Sequence, residues 1–318
     1  GRDVPAPARR QWQPRAREPR LDCHDDGRVR DRRYGRGAGA SADRSGSGLK
    51  AVKKGAQIDE ATKAQGYVVV NEDRNAGANH RLIEKIVIPS SKQKSYDLAA
   101  TLFNNYTLDQ TKSENNFLEE EAEVQEFLDA VYKSAPMKVA RDYVATQSGQ
   151  SVSEDQWWAI LQRVWFEQFD NGRNQDLSGF EHVVVGEQKQ GKVQGYHFWY
   201  KYYMDEHFRQ DDTDNTETDA ITFLQWKNLP GDVSPDVVTL SYEWRAFDYE
   251  KKKFRKLIKP IGGFWIGPSI EGLLALGTVR FLPEAMASKQ AVINGVKYNL
   301  PMFRSPNDRH MRTFFPEF

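Results

Sequence analysis

The sequence predicts an α+β fold, with an N-terminal helical layer followed by antiparallel β-sheets. Two observations lead there. Apolar side chains recur at helical spacing through residues 95–170, and after Asn171 the period changes to alternation. A third sets the scale: 318 residues, 39% hydrophobic and 12% aromatic, are enough for one large core or two modest ones.

Residues 1–48 contain neither Ile, Phe, Met, Asn nor Thr and are rich in Arg and Gly, so they are expected to form a disordered tail. Residues 49–94 are a polar lead-in with strand-like pieces at 67–70 and 82–89. A helical period covers 95–106. A second helix, 117–133, carries Phe117, Val124, Phe127, Leu128 and Val131 on one face, and Glu119, Glu120, Glu121 and Glu123 in its first turns, where carboxylates suit the helix dipole. Residues 137–144 continue as a third helix. Ser153 with Gln156 has capping-box spacing and opens a fourth, lined by Trp157, Leu161, Val164, Trp165 and Phe169.

The second half alternates. Residues 180–187 and 192–197 read as a hairpin around a polar turn at 188–191, and the aromatic run 198–204 fits a helix or a strand. Residues 239–247 and 254–266 read as strands joined by the charged turn 249–253. Gly267 and Pro268 stop the strand and start a helix with Ile270, Leu273, Leu274, Gly277 and Phe281 on one face. Segments 291–294, 296–303 and 310–315 close the chain as β structure. The domain boundaries expected from this reading are 95–318, with a helical subdomain over 95–170 and a β-rich one over 171–318.

Formal neutrality, 45 basic against 45 acidic residues, conceals an uneven distribution. The first 48 residues hold 12 Arg against 6 Asp and 1 Glu, a net +5, which leaves −5 for the remaining 270. The single cysteine, Cys23, lies in that tail, so the body has no thiol for a disulfide, a zinc knuckle or a thiolate nucleophile. No run of about 18 apolar residues suggests a membrane span, and no signal-peptide core is evident. A cytoplasmic or nuclear monomer is the expectation. Chemistry in the body must come from His, Lys, carboxylates and hydroxyls.

Of the five histidines in the body, His182 and His197 fall on the two arms of the expected hairpin, which would bring their rings together. Imidazole can be neutral in one copy and charged in another near pH 7, so such a pair can supply a base and an acid to one reaction. Structural strand histidines are the alternative.

The segment Ser178-Gly179-Phe180-Glu181-His182-Val183-Val184-Val185-Gly186-Glu187, followed by Gly195-Tyr196-His197-Phe198-Trp199, resembles the signature of the EndoU (XendoU-type) endoribonucleases. Lys259-Pro260-Ile261-Gly262-Gly263-Phe264-Trp265-Ile266-Gly267-Pro268-Ser269-Ile270-Glu271 and the closing Met311-Arg312-Thr313-Phe314-Phe315-Pro316 are similar to two further motifs of that family, as is Ala135-Pro136-Met137-Lys138-Val139-Ala140. The family is related in its core to the coronavirus uridylate-specific endoribonuclease. The resemblance implies an EndoU catalytic core and Mn²⁺-stimulated cleavage of single-stranded RNA at uridines, leaving a 2′,3′-cyclic phosphate. It implies His197 as general base, His182 as general acid and Lys259 as the cation at the phosphate. Glu181 matches a glutamate that orients or tunes a catalytic group. Thr313 and Phe315 match the residues shaping the nucleoside pocket. Two departures bear on base choice: Gly263 stands where the family has Ser, and Phe315 where it has Tyr.

Other features have two readings each. Lys251, Lys252, Lys253, Arg255 and Lys256 suit phosphate tracking or a charged hairpin tip. Asp211, Asp212, Asp214, Glu217 and Asp219 suit a Mn²⁺ or Ca²⁺ site or a solvated loop without EF-hand spacing. The tryptophans suit base stacking or core. Two other functions compete with cleavage: an RNA-binding protein on the same scaffold, and an enzyme with His182, His197 and His207 around one metal ion.

Overall fold

The computed structural model describes residues 68–71, 80–114, 117–170, 177–207, 220–228, 237–248, 251–282, 289–293 and 296–317. The expected tail 1–48, most of the lead-in, and the carboxylate-rich Asp211 to Asp219 lie outside the described residues.

The architecture is α+β. Strands β1 (Val68–Val70) and β2 (Ile83–Ile86) pair antiparallel and lead into helices α1 (Ser90–Thr101), α2 (Leu118–Val131), α3 (Ala135–Ser148) and α4 (Glu154–Leu161). Local chemistry sets these ends. The Glu120 carboxylate accepts the Phe117 N–H (3.3 Å) at the start of α2. Ser153 and Gln156 satisfy each other's backbone N–H groups at 3.2 and 2.8 Å, the reciprocal cap their spacing predicts for α4. Trp157, Leu161, Val164, Trp165 and Phe169 are all buried, but α4 ends at Leu161: Gln162–Phe166 continues as a π-helical turn, and Phe169 lies past it in a bridge with Leu177.

Strands β3 (Glu187–Lys189), β4 (Lys192–Gln194), β5 (Ile221–Asn228), β6 (Val237–Asp248) and β7 (Lys253–Trp265) form one sheet, in the order β3-β4-β7-β6-β5. All neighbours are antiparallel except β4 and β7. Helix α5 (Trp199–His207) resolves the aromatic run as helical, and β5 is a strand the sequence reading did not include. Helix α6 (Ile270–Phe281) is capped by Ser269, whose Oγ accepts the Gly272 N–H at 3.1 Å, and packs against α3. The chain closes with β8 (Gln290–Ile293) paired to β9 (Val296–Asn299), and β10 (Met302–Arg304) paired to β11 (Met311–Phe314). The strand read over 296–303 is thus two, divided at Pro301, which has no N–H for a ladder.

Two sequence expectations are corrected. The hairpin spans only β3 and β4, whose tight turn holds Gln190 and Gly191 at φ 52° and 74°, the left-handed pair of a type I′ turn. His182 lies on no strand: Glu181–Val185 forms one π-helical turn. Ser178 and Glu181 stand at capping-box spacing and cap one another, Ser178 Oγ accepting the Glu181 N–H and the Glu181 carboxyl accepting the Ser178 N–H, both at 3.2 Å. That local start signal prevails over the β-branched run 183–185, which is buried on every side.

Trp157, Trp165, Trp199, Trp244 and Trp265 are buried in a core shared by helices and sheet, so they are core side chains. No helix among the described residues is long and apolar enough to cross a membrane.

Candidate active site

The β3–β4 hairpin delivers Gly195, Tyr196 and His197 against the turn that carries His182. Backbone bonds lock the two segments together: Tyr196 N–H donates to the His182 carbonyl (2.9 Å) and His197 N–H to the Val183 carbonyl (2.6 Å). Such closeness demands glycine at 195. Gly195 has φ +61°, and a Cβ there would sit 1.7 Å from the His182 carbonyl oxygen. Tyr196 also takes a left-handed φ of 67°. Its strain is held by burial, by its ring against Trp244 (4.9 Å between centroids), and by its hydroxyl donating to Asp205 Oδ2 at 2.5 Å. Lys201 Nζ binds the same carboxylate oxygen.

The third element is β7. Its pairing with β6 is irregular between Leu240–Gly262 and Tyr242–Lys259, with three steps on β7 against two on β6. Bulges of this kind re-aim side chains. Lys259 is buried here, its Nζ donating to the carbonyls of Gly195 (2.7 Å) and Val193 (3.4 Å). The ammonium is therefore tied to the strand end that positions His197. Burial lowers its pKa to about 8, against the pull of Glu187.

The two imidazoles have different partners. His197 Nδ1–H donates to the Gly263 carbonyl at 2.8 Å, and the ring of Phe315 stacks on it with centroids 4.9 Å apart. A carbonyl only accepts, so the Nδ1 proton is fixed; burial first and Lys259 second hold the ring well below the ordinary histidine pKa. Neutral His197 thus carries its lone pair on Nε2. His182 Nδ1 lies 2.8 Å from Glu187 Oε1 and 2.7 Å from Arg312 Nη1, and that Nη1 donates to the same Glu187 oxygen at 3.0 Å. Burial lowers the His182 pKa while Glu187 pulls it upward. Glu187 is fully buried, yet His182 and Arg312 keep its carboxyl below the ordinary glutamate value.

The remaining candidates are placed as follows. Glu181 caps its own turn. Burial, then the charges of Glu187 and Glu114, push its pKa well up. Gly263 enters through its carbonyl. Thr313 lies in β11 opposite Phe303, two residues before Phe315. Lys251, Lys253 and Lys256 are not gathered with Lys259. Lys251 pairs with Asp248 at 3.5 Å and Lys256 with Glu243 at 2.5 Å, and Lys253 starts β7 some 20 Å along the strand, at about 3.3 Å per residue. The His182, His197 and His207 trio does not form, because His207 Nε2 is bonded to the Ile83 carbonyl (2.7 Å) at the far end of α5. Among the described residues no three His, Cys, Asp or Glu side chains could hold a metal ion, so Mn²⁺ finds no ligand set among them. Sequence reasoning did not single out Glu187 and Arg312, the two groups that contact the His182 ring. Both stand inside the quoted motifs, and a lone arginine within the apolar closing segment was the available signal.

Residues 50–316 match the family Endoribonuclease XendoU. The chain is 30% identical over 227 residues to Poly(U)-specific endoribonuclease-B of Xenopus laevis, an alignment covering 70% of this chain and 72% of that protein. It is 31% identical over 189 residues to Uridylate-specific endoribonuclease of Bos taurus, covering 59% of this chain and 41% of that one. The solved structure described as "The structure of XendoU: a splicing independent snoRNA processing endoribonuclease" superposes with a TM-score of 0.61 at 24% identity, over 84% of this chain and 95% of that one, and shares the fold. On a family match spanning most of its length, the protein belongs to the XendoU endoribonuclease family.

Proposed function

We propose that the protein cleaves single-stranded RNA at uridines by transesterification. His197 Nε2 takes the proton of the ribose 2′-OH, whose oxygen attacks the adjacent phosphorus. His182, as imidazolium, gives its proton to the leaving 5′-oxygen, and the products are a 2′,3′-cyclic phosphate and a 5′-hydroxyl. Lys259 stands for the cation beside the non-bridging oxygens, whose charge grows in the transition state. The observation that carries this reading is the bond from His197 Nδ1–H to the Gly263 carbonyl, which leaves a neutral imidazole with its basic nitrogen unprotonated.

Support for uridine comes from the relatives, named poly(U)- and uridylate-specific. Thr313 and Phe315 are the pocket residues in this reading. Stimulation by Mn²⁺ rests on the family resemblance, and no proton or phosphate step is routed through an ion.

The test is incubation of the protein with a mixed-sequence single-stranded RNA, with Mn²⁺ and with chelator, followed by mapping of ends. Cuts at uridines with cyclic-phosphate ends are expected, faster with Mn²⁺. RNA binding without any cut in either condition would replace this reading with that of a binding protein.

A further inference from the structure

We propose that Arg312 is a positioning residue for His182: by donating to the same Glu187 oxygen that faces His182 Nδ1, it sets how strongly that carboxylate holds the imidazole proton, and so the pH range in which His182 serves as an acid. This deepens the preceding reading and rests on it for the word acid.

The geometry is a closed triangle. Nη1 of Arg312, Nδ1 of His182 and Oε1 of Glu187 are separated by 2.7, 2.8 and 3.0 Å. Two of the three are donors in any arrangement that avoids facing lone pairs, and one carboxylate oxygen accepts from both. The consistent assignment is Nδ1–H and Nη1–H both directed to Oε1. The proton that His182 can transfer is then on Nε2, when the ring is charged. Two cations compete for one oxygen, and Glu187 Oε2 finds no partner among the described residues, so the competition has no outlet there.

The other groups facing His182 cannot do this. Lys259, from β7, bonds to carbonyls of the β4 end, and His197 bonds to Gly263. Glu181 precedes His182 in its own turn and bonds to Ser178. Glu114 is bonded to the Thr107 N–H at 2.9 and 3.0 Å. Arg312 alone among them touches both the ring and its carboxylate. It arrives from β11, and its Nη2 is also 3.5 Å from Gln110 Oε1, on the segment between α1 and α2. The closing strand thus supplies a fixed charge to a residue 130 positions earlier.

A permanent cation at that point has a definite sign. It keeps Glu187 ionised, and it opposes a second positive charge on His182. Removing it leaves the carboxylate to the imidazole alone, which favours imidazolium.

The experiment compares wild type with Arg312→Gln and Arg312→Lys. Two readouts are taken on each: the pH dependence of kcat/KM on uridine-containing single-stranded RNA, and the titration of His182 by NMR with labelled histidine. In Arg312→Gln the His182 titration and the alkaline limb of the profile should move up by about one pH unit. Arg312→Lys restores the charge and should return both toward wild type. A folded Arg312→Gln protein whose His182 titrates as in wild type overturns the proposal, even if its rate is lower, because a structural role lowers rate or melting temperature without moving that titration. If Arg312→Gln does not fold, a folded Arg312→Lys protein with His182 shifted upward like an uncharged variant overturns it, and one with His182 unshifted supports it. The NMR readout needs no turnover. Wild type without cleavage would therefore sink the functional reading while the Arg312 result still stood or fell by itself.

Discussion

The ring of Phe315 lies on that of His197, with centroids 4.9 Å apart and planes 21° from parallel. Phe315 therefore covers a face of the candidate base, while the ring edge is held by its bond to Gly263. An aromatic pair is worth about 0.5–1.5 kcal/mol beyond its area burial. Phe315→Ala should lower kcat by about tenfold or less while the fold persists, and Phe315→Tyr should keep the rate. Steady-state kinetics with a short uridine substrate measures both, and an unchanged kcat in Phe315→Ala would leave that contact without a role in the rate.

His182→Ala and His197→Ala should each reduce cleavage by about 10²- to 10⁴-fold, the usual weight of one positioned proton transfer. Lys259→Ala should cost about 10²- to 10³-fold through lost charge stabilisation. Melting temperatures identify any variant that loses activity by unfolding. Two folded histidine variants with wild-type rates would refute the assignment.

The pH profile follows from the two imidazole environments. Both histidines lie below the ordinary value, His197 by the wider margin, with burial as the leading cause for each. The base must be neutral and the acid charged. Activity should then rise from strongly acidic pH as His197 loses its proton, and fall again as pH rises through the His182 pKa, below the ordinary histidine range. A further loss should follow as Lys259 discharges at about 8. For kcat/KM, which reports the free enzyme, the maximum is expected on the acid side of neutrality. A maximum above pH 8 contradicts the assignment.

Gly195→Ala should destabilise severely, since a Cβ would lie 1.7 Å from the backbone oxygen of His182, and φ +61° is strained for alanine. A loss of roughly 4 kcal/mol places it among the rare large effects, which for a chain of this size is a fall of about 10 °C in Tm. Thermal unfolding monitored by circular dichroism reads it directly.

Gly263→Ser should be tolerated, because a Cβ there meets nothing closer than the Val238 carbonyl oxygen at 3.4 Å. If the family serine reads the uracil edge, the variant should raise the ratio of uridine to cytidine cleavage by roughly three- to tenfold, the worth of one net hydrogen bond. Competition between two labelled RNAs gives the ratio, and no change would locate base choice elsewhere.

The order of helices before strands, the Ser153 cap, buried Trp157 of α4, the long β6–β7 pair and the helix after Pro268 were all legible in the sequence, because each rests on interactions within a few residues. The short motifs that hold His182, His197 and Lys259 were legible too, and the fold brings their segments together. The turn at His182 misled, since three successive valines mimic a strand and only burial on all sides lets the Ser178 and Glu181 cap prevail. Tertiary structure alone decided the rest. The backbone oxygen of His182 presses on Gly195, a bulge turns Lys259 toward that same glycine, and Arg312 reaches a carboxylate 125 residues earlier. Periodicity and spacing report local conformation, whereas these contacts exist only where packing brings distant segments within 3 Å, as does the bond to Gly263 that fixes the proton on His197 Nδ1.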